Sequence, residues 1–223
     1  MTQSEDTRRR VAPLAAYASW QLGRWTEMQA ALDQLKQADP DSTVFAEAAS
    51  RAADHAIAQR SWENASSLLA SVIQLGEASP LFTDALMRQG TIQFEQMQYS
   101  AAAQTYQQLL KVQTINSAVR AAASLNQGVC LEKEAGNDPQ KLLAAARTLE
   151  EGIVQFAVPP EKELATEEDR MTVQHVVNAA RTAAAIHIKL VPPQPHDPQK
   201  PLTTEDLAAW IAQPDVKTHL TSA

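Results

Sequence analysis

The stretch 22-LGRWTEMQAAL-32 places a large aromatic residue directly after a Leu-Gly turn, at the start of an apolar periodic run. The periodic run before it ends at Gly23, so the chain here predicts a helix, a turn and a second helix. Trp62 follows Trp25 after 37 residues, and Tyr99 follows Trp62 after another 37. An aromatic residue that returns at a fixed interval after a turn indicates an internal repeat of helix hairpins.

Other columns of the repeat keep one type of side chain. The residue nine before each aromatic is small, and the residues three and seven after it are apolar. The helices of a hairpin lie about 8–10 Å apart, so their closest approach needs a small side chain. The aromatic should fill the gap between hairpins, so we expect Trp25 to be buried with a partner for its N–H. The columns are Ala16, Ala53 and Gly90; Met28, Ala65 and Ala102; and Leu32, Leu69 and Tyr106.

A fourth copy follows, with an insertion at residues 134–141. Its small residue is Gly128, and its second helix carries Ala145 and Leu149. Apolar residues make up 44% of the chain but aromatic residues only 5%, a mixture that favours closely packed helices over strands. The sequence therefore predicts an all-α protein of about four hairpins with a period near 37.

This pattern resembles the tetratricopeptide repeat (TPR), above all in 90-GTIQFEQMQYSAAAQTYQQLL-110. The signature columns of the family are occupied there by Gly90, Phe94, Tyr99, Ala102 and Tyr106. The period is 37 instead of about 34 residues. A column that is usually small holds Leu35, Val72 and Leu109. The resemblance covers roughly residues 8–156 and implies a right-handed α-solenoid whose helices pack slightly wider than in the family.

The stretch 9-RRVAPLAAYASWQLGRWTEM-28 has a second resemblance, to a segment in the FAT region of TOR-type kinases. That region is itself a solenoid of TPR-like helix pairs. The correspondence does not continue beyond about residue 100, and we find no kinase motif. It implies an alternative in which the chain is a FAT-like helical segment of such a kinase. The match is carried by Arg10, Ala12, Pro13, Leu14, Ala15, Ala16, Trp20, Leu22, Gly23 and Trp25.

The chain after the repeats predicts a capping helix and a tail. Thr166 followed by Asp169 has the spacing of a capping box, which predicts a helix near residues 167–190. Such a helix covers the open apolar end of a solenoid. Its apolar face is expected at Val173, Val176, Val177, Ala180 and Ala184. The predicted parts are a flexible N-terminus at 1–7, a repeat domain with its capping helix at 8–190, an extended proline-rich linker at 191–202 and a short amphipathic helix within 203–223.

Composition excludes several classes of function. A net charge of −7 and a pI near 5.2 argue against nucleic-acid binding. The opening MTQSEDTRRR lacks an apolar segment behind its charges, and no run of about 18 apolar residues exists. We therefore expect neither a signal peptide nor membrane insertion. The lone Cys130 allows no internal disulfide and suits a reducing, cytoplasmic location.

No motif for catalysis is present. The six glycines are used by turns and helix contacts, and neither GxGxxG nor GxxxxGK[ST] occurs. The histidines form no HExxH pair, and Cys130 is expected to be a buried thiol. The carboxylates clustered near residues 161–169 favour a helix start through its dipole. We expect no enzyme, no cofactor and no metal site, and an independent enzyme is the third alternative.

The resemblance to TPR proteins implies that the first helix of each hairpin lines a concave groove that binds a peptide or helix. The leading function is therefore a non-catalytic scaffold or adaptor for a segment of a partner protein, in a multiprotein complex. Acidic residues in the middle of this groove favour a basic or amphipathic segment. The predicted partner-binding residues are Arg10, Tyr17, Trp20, Asp54, Asp84, Met87, Phe94, Glu95 and Glu132. Other inward positions of the first two copies are Pro13, Gln21, Glu47, Ser50, Ile57 and Ala58.

The tail offers a second interaction element. Leu207, Trp210 and Ile211 share one face of the short C-terminal helix. Such a helix is suited to dock into the groove of a partner or back into the groove of its own chain. The sequence does not distinguish these two possibilities.

Overall fold

The computed structural model describes residues 3–38, 43–156, 166–191, 203–214 and 216–217. All regular elements in these ranges are helical, so the predicted all-α fold is confirmed. None of the described helices is long and apolar enough to cross a membrane. The α-helices are α1 (Gln3–Gln21), α2 (Trp25–Ala38), α3 (Thr43–Ala58), α4 (Trp62–Ile73), α5 (Phe82–Glu95), α6 (Tyr99–Leu110), α7 (Ser117–Ala135), α8 (Pro139–Phe156), α9 (Glu167–Leu190) and α10 (Thr204–Ile211), with a 3-10 turn at Gly76–Ala78.

The chain forms two compact units, residues 1–112 and residues 113–223. The predicted repeat domain, residues 8–190, spans both. In the first unit, three hairpins follow one another along the chain: α1–α2, α3–α4 and α5–α6. Helix α3 packs against α1 and α2, and α5 packs against α4. The second helices of these hairpins begin at the repeated aromatic residues, Trp25, Trp62 and Tyr99.

The nine residues of the three repeat columns predicted from the sequence are all buried, so they form part of the core of the first unit. The column that departs from the TPR pattern is also buried, through Leu35, Val72 and Leu109. The expectation of full burial for Trp25 is wrong. Trp25 is half-buried, packs on the edge of the core, and its N–H has no partner among the described residues. As the first residue of its helix it lies at the end of the hairpin, where one side of the ring faces solvent.

The three turns within these hairpins have one geometry. Gly23, Arg60 and Met97 stand at equivalent positions, and their φ angles are 66°, 56° and 59°. In the first turn, the N–H of Gly23 donates to the carbonyl of Trp20 at 3.0 Å, and the N–H of Arg24 donates to the carbonyl of Ser19 at 2.9 Å. The other two turns repeat these bonds, which form a Schellman motif. The turn glycine is evident from the sequence, but Arg60 and Met97 are not, since residues with side chains disfavour positive φ.

In the second unit, α7 and α8 form a hairpin and α9 packs against both helices. Helix α9 begins where the capping box predicted, with the Asp169 N–H donating to Thr166 Oγ1 at 3.0 Å. The carboxylate of Glu168 accepts bonds from the Ser117 backbone N–H at 3.0 Å and from its hydroxyl at 2.7 Å. One acidic residue therefore links the start of α9 to the start of α7.

The buried face of α9 differs from the predicted one. Val177 and Ala180 are exposed, whereas the polar residues Thr172 and His187 are buried. These polar side chains are tolerated because each finds an internal partner: Thr172 donates to the Glu168 carbonyl at 2.8 Å, and His187 Nε2 lies 2.6 Å from Glu150 Oε1. Small residues, not valines, lie at the centre of the contact, where helices approach most closely. The buried residues of this face are Thr172, Ala179, Ala183, Ile186 and His187.

Candidate functional site

A pocket of about 110 Å³ lies between α1 and α3, and we call it the α1–α3 pocket. Eight of its ten lining residues are apolar or aromatic, and the two others are charged. Two of the predicted partner-binding residues, Tyr17 and Trp20, contribute to it, as do the inward positions Pro13 and Glu47. The lining is formed by Pro13, Ala16, Tyr17 and Trp20 of α1, by Met28 of α2, and by Val44, Glu47, Ala48, Arg51 and Ala52 of α3.

Helical spacing explains why these side chains converge. The lining residues of α1 recur at intervals of three and four, and so do those of α3, so each set forms one stripe along its helix. The stripe on α1 carries the large rings of Tyr17 and Trp20, whereas the stripe on α3 includes the small residues Ala48 and Ala52. Large side chains facing small ones leave the pocket open between the two helices.

An aromatic cluster forms one wall of the pocket. The Trp20 ring lies 5.1 Å from the Tyr17 ring and 5.2 Å from the His55 ring, with the His55 ring at 89° to it. Trp20 Nε1 is buried and has no hydrogen-bond partner among the described residues. Tyr17 is 53% exposed. The Trp20 indole therefore forms part of the pocket wall, whereas the Tyr17 phenol lies at the pocket mouth.

Two opposite charges flank the mouth on α3. Glu47 and Arg51 are one helical turn apart and exposed, and both line the pocket. Neither makes an ion pair or a side-chain hydrogen bond within the part of the chain that the structure describes. Both are therefore available to groups on a ligand.

Asp54 and Asp84 are held by a residue that sequence analysis did not single out. Arg88 of α5 forms ion pairs with both, and its Nε lies 2.9 Å from Asp84 Oδ2. The predicted basic partner depended on these carboxylates being free. Because one guanidinium engages both, its positive charge compensates one of their two negative charges.

The other predicted residues lie apart from this pocket. Met87 and Phe94 on α5 are half-buried, and the Phe94 ring is 5.4 Å from the Tyr99 ring at 63°. Glu95 is exposed at the end of the same helix. The side chain of Arg10 lies outside the described part of the structure.

Glu132 belongs to the second unit, where its side chain is 12% exposed and forms ion pairs with Lys189 and Lys133. Burial raises the pKa of this carboxyl, but the hydrogen bonds and positive charges of the two lysines outweigh burial and hold the pKa below its ordinary value. Glu132 is thus an ionised structural residue between α7 and α9. Its predicted role as a free acidic group in the groove has no support from this environment.

The tail helix is described in part. The Leu207 side chain lies outside the described residues, Trp210 is half-buried and Ile211 is 42% exposed. Val216, just beyond α10, is completely buried. Val216 is therefore shielded from solvent, while Ile211 remains accessible.

The described side chains of the types that bind metals or act as nucleophiles form no metal site, and the one thiol is buried. Within the described ranges, no three His, Cys, Asp or Glu side chains come together as a metal site. Burial raises the pKa of the Cys130 thiol to about 11, so the thiolate required of a nucleophile is scarce at neutral pH. Arg51 and Arg88 were not among the predicted site residues, although the period of 37 places them at equivalent positions.

A comparison with known protein families agrees with the helix hairpins of the first unit. The sequence profile of the tetratricopeptide repeat matches residues 84–112, which span most of the third hairpin. With the repeated turns and columns of the first unit, this match supports TPR-like helix hairpins in residues 1–112. A comparison of the sequence with curated proteins found no match. Among solved structures, YrrB, described as a TPR protein with an unusual peptide-binding site, aligns over 76% of this chain and 87% of its own, at 14% identity and a TM-score of 0.38.

Proposed function

We propose that this protein is a non-catalytic scaffold or adaptor, a subunit of a larger complex, that binds an amphipathic segment of a partner protein at the α1–α3 pocket. The observation that carries the proposal is the convergence of four predicted inward-facing residues on this pocket: Pro13, Tyr17, Trp20 and Glu47. TPR-like hairpins supply the rigid stacked helices on which such a site is built.

The size of the pocket favours a side chain over a free small molecule. Sites for small molecules and cofactors usually enclose about 300–1,000 Å³. A volume near 110 Å³ holds about four water molecules at about 30 Å³ each, or one leucine or methionine side chain. The pocket is therefore matched to a single aliphatic anchor on a longer partner.

One anchor supplies only part of the affinity. Burial of a leucine-sized side chain contributes about 1.5–3 kcal/mol, which alone changes a dissociation constant by roughly 10- to 100-fold. The remaining contacts must come from the mouth, where Tyr17, Glu47 and Arg51 are exposed. An amphipathic segment meets both requirements, because it presents one apolar side chain beside polar groups.

Site-specific photo-crosslinking tests the proposal. A benzoylphenylalanine residue in place of Val44, at the pocket, should crosslink to one defined segment of a reproducible partner in the native cell. The same residue in place of Val154, which is 82% exposed and outside the pocket, is the control and should not. Filling the pocket with Ala48→Leu should abolish the crosslink, whereas Ala144→Leu on the exposed face of α8 should leave it intact. Equal crosslinking at both positions, or a crosslink unaffected by Ala48→Leu, would contradict the proposal.

The proposal extends to a reducing cytoplasmic location, where the lone buried thiol of Cys130 would persist unmodified. The alternative of a FAT-like segment of a TOR-type kinase gains no specific support. Its matching residues, 9–28, lie in the first hairpin, and both alternatives predict a hairpin there. A transcript that continues into kinase motifs would favour the alternative.

A further inference from the structure

The first unit repeats one arrangement of charged positions along its first helices. At intervals of 37 residues, Arg51 of α3 corresponds to Arg88 of α5, and Glu47 corresponds to Asp84. By the same interval, Tyr17 of α1 corresponds to Asp54 of α3. The charged residues between α3 and α5 therefore show which residues a perfect repeat would place between α1 and α3.

Between α3 and α5, the arginine is held by two carboxylates. Arg88 pairs with Asp84 one turn earlier on its own helix, with Nε 2.9 Å from Oδ2, and with Asp54 on the preceding first helix. The guanidinium group presents several N–H donors in a fixed plane, so it can serve two acceptors at once. Its positive charge is compensated within the chain.

Between α1 and α3, the equivalent arginine, Arg51, has no counterpart of the Asp54 carboxylate. Tyr17 stands where Asp54 stands in the next step, and Arg51 makes no ion pair within the described residues. Arg51 and Tyr17 both line the α1–α3 pocket. Glu47 occupies the position of Asp84 but makes no ion pair with Arg51, and Tyr17 in place of Asp54 offers Arg51 no carboxylate. An uncompensated guanidinium thus lies beside an apolar pocket of leucine size.

We infer that Arg51 receives a carboxylate from the partner, in the place that Asp54 occupies at the next step. The partner segment then carries an aspartate or glutamate within two residues of its aliphatic anchor. This inference rests on the proposed function and adds the chemistry of the bound segment. It replaces the basic partner expected from sequence, because the aspartates on which that expectation relied are engaged by Arg88.

Selection from a phage-displayed library of random 16-residue peptides, on the full chain, provides the test. The wild-type chain should enrich peptides with Leu, Ile or Met close to Asp or Glu. Selection on Arg51→Glu should keep the aliphatic anchor but lose the acidic residue, because the two charged residues of the pocket lining, 47 and 51, are then both negative. Tyr17→Asp should also remove the acidic preference, since it places a carboxylate inside the chain where the repeat has one. Circular dichroism of each variant establishes that it is folded.

An enriched peptide is synthesised with a fluorescent label, and fluorescence anisotropy measures its affinity for the wild-type chain and the variants. Arg51→Gln should weaken binding by about 5- to 10-fold, the size expected for a partly exposed charge-assisted bond. Replacing the acidic residue of the peptide by its amide should weaken binding to the wild type by a similar factor and should not weaken binding to Arg51→Gln further. Arg147→Gln, an exposed arginine of α8, is the control and should leave the affinity unchanged.

The outcomes separate this inference from the proposed function. Aliphatic anchors without an acidic preference, or an acidic preference that survives in Arg51→Glu, would overturn the inference and leave the pocket as the site. If no enriched peptide loses affinity in Ala48→Leu, the inference and the proposed function both fail.

Discussion

The small residues of the repeat are matched to the side chains that face them. Ala53 precedes Leu69 by 16 positions, and Gly90 precedes Tyr106 by the same number. A methyl group at Gly90 would lie 2.7 Å from two atoms of the Tyr106 ring, closer than carbon atoms normally approach. The ring is buried and cannot withdraw. Glycine at this position of the third hairpin therefore leaves room for the Tyr106 ring, whereas the second hairpin combines Ala53 with Leu69 at the equivalent positions.

This pairing predicts a compensating double substitution. Gly90→Ala alone should destabilise the protein by about 1–3 kcal/mol through overpacking. In the background of Tyr106→Leu, which recreates the Ala53 and Leu69 combination, the same change should cost at least about 1 kcal/mol less. Urea denaturation followed by circular dichroism measures all four members of the cycle. Strictly additive costs would show that the two positions do not constrain each other.

The left-handed turn residues predict a gain in stability. Met97 is 75% exposed and has a φ of 59°, a conformation that glycine adopts without the steric cost of a side chain. Met97→Gly should therefore stabilise the third hairpin by about 0.5–1 kcal/mol. A melting temperature raised by a few degrees in scanning calorimetry is the expected sign.

The neighbouring position controls for the general effect of glycine. Gln96 has a φ of −82°, so Gln96→Gly brings no conformational relief and should destabilise the protein by about 0.5–1 kcal/mol. If both substitutions shift the melting temperature in the same direction, the explanation from backbone conformation is wrong.

At the scale of elements, α9 is positioned on its hairpin by polar contacts near both ends. Glu168 bonds to Ser117 near the start of α9, and His187 bonds to Glu150 near its end. Between them, small buried residues permit close packing but specify no axial position. The polar pairs therefore favour one register of α9 against α7 and α8, since a shift along the axis would separate Glu168 from Ser117 and leave the buried His187 without Glu150.

The ion pair of Lys189 with Glu132 predicts a specific dependence of stability on pH. The pKa of Glu132 is lower in the folded protein than its ordinary value of 4.5. Its stabilising contribution is therefore complete above that value and is lost as the pH falls below it, through the lowered pKa. At pH 7, Glu132→Gln should reduce the free energy of unfolding by about 0.5–1 kcal/mol, given that Lys189 is half exposed.

Urea denaturation at several pH values checks this expectation. The difference between wild type and Glu132→Gln should shrink as the medium becomes more acidic than pH 4.5. Glu134→Gln is the matched control, because Glu134 is exposed on the same helix and has no ion pair among the described residues. A deficit for Glu132→Gln that persists unchanged in acid would mean that its cause is packing instead of charge.

At the scale of the whole molecule, the repeat is regular in its backbone and irregular in its charges. Turns and buried columns recur through the three hairpins of the first unit. The pairing of charges changes, because Asp54 engages Arg88 whereas its equivalent, Tyr17, leaves Arg51 uncompensated. The proposed recognition site lies at this departure from the repeat, where Arg51 lacks an ion-pair partner within the described residues.

The lone cysteine of the chain reports on the packing of the second unit. Because burial raises the pKa of Cys130 to about 11, only roughly 0.1% of the thiol is ionised at pH 8. The native chain should therefore react with Ellman's reagent at least about 100-fold more slowly than the chain in 6 M guanidinium chloride. Gly152→Ala should accelerate the reaction, since its methyl group would collide with the Ser124 side chain. Rapid labelling of the native chain would show that Cys130 is not held in this core.

The amino-acid sequence was sufficient for the features that depend on local bonds and periodic burial. The starts of the second helices at Trp25, Trp62 and Tyr99, the buried columns and the capping box at Thr166 were all predicted. These features follow from interactions within one helix or from a period repeated along the chain, both of which are visible in sequence.

The tertiary structure decided what depends on residues far apart in the chain. Asp54 and Arg88 are separated by 34 positions, and only their packing shows that this carboxylate is engaged while Arg51 remains available. The half-burial of Trp25 and the rotated face of α9 were likewise settled by neighbouring helices. A side chain's charge and hydropathy are properties of its type, but its exposure and its electrostatic partner depend on distances that exist only once the helices have packed.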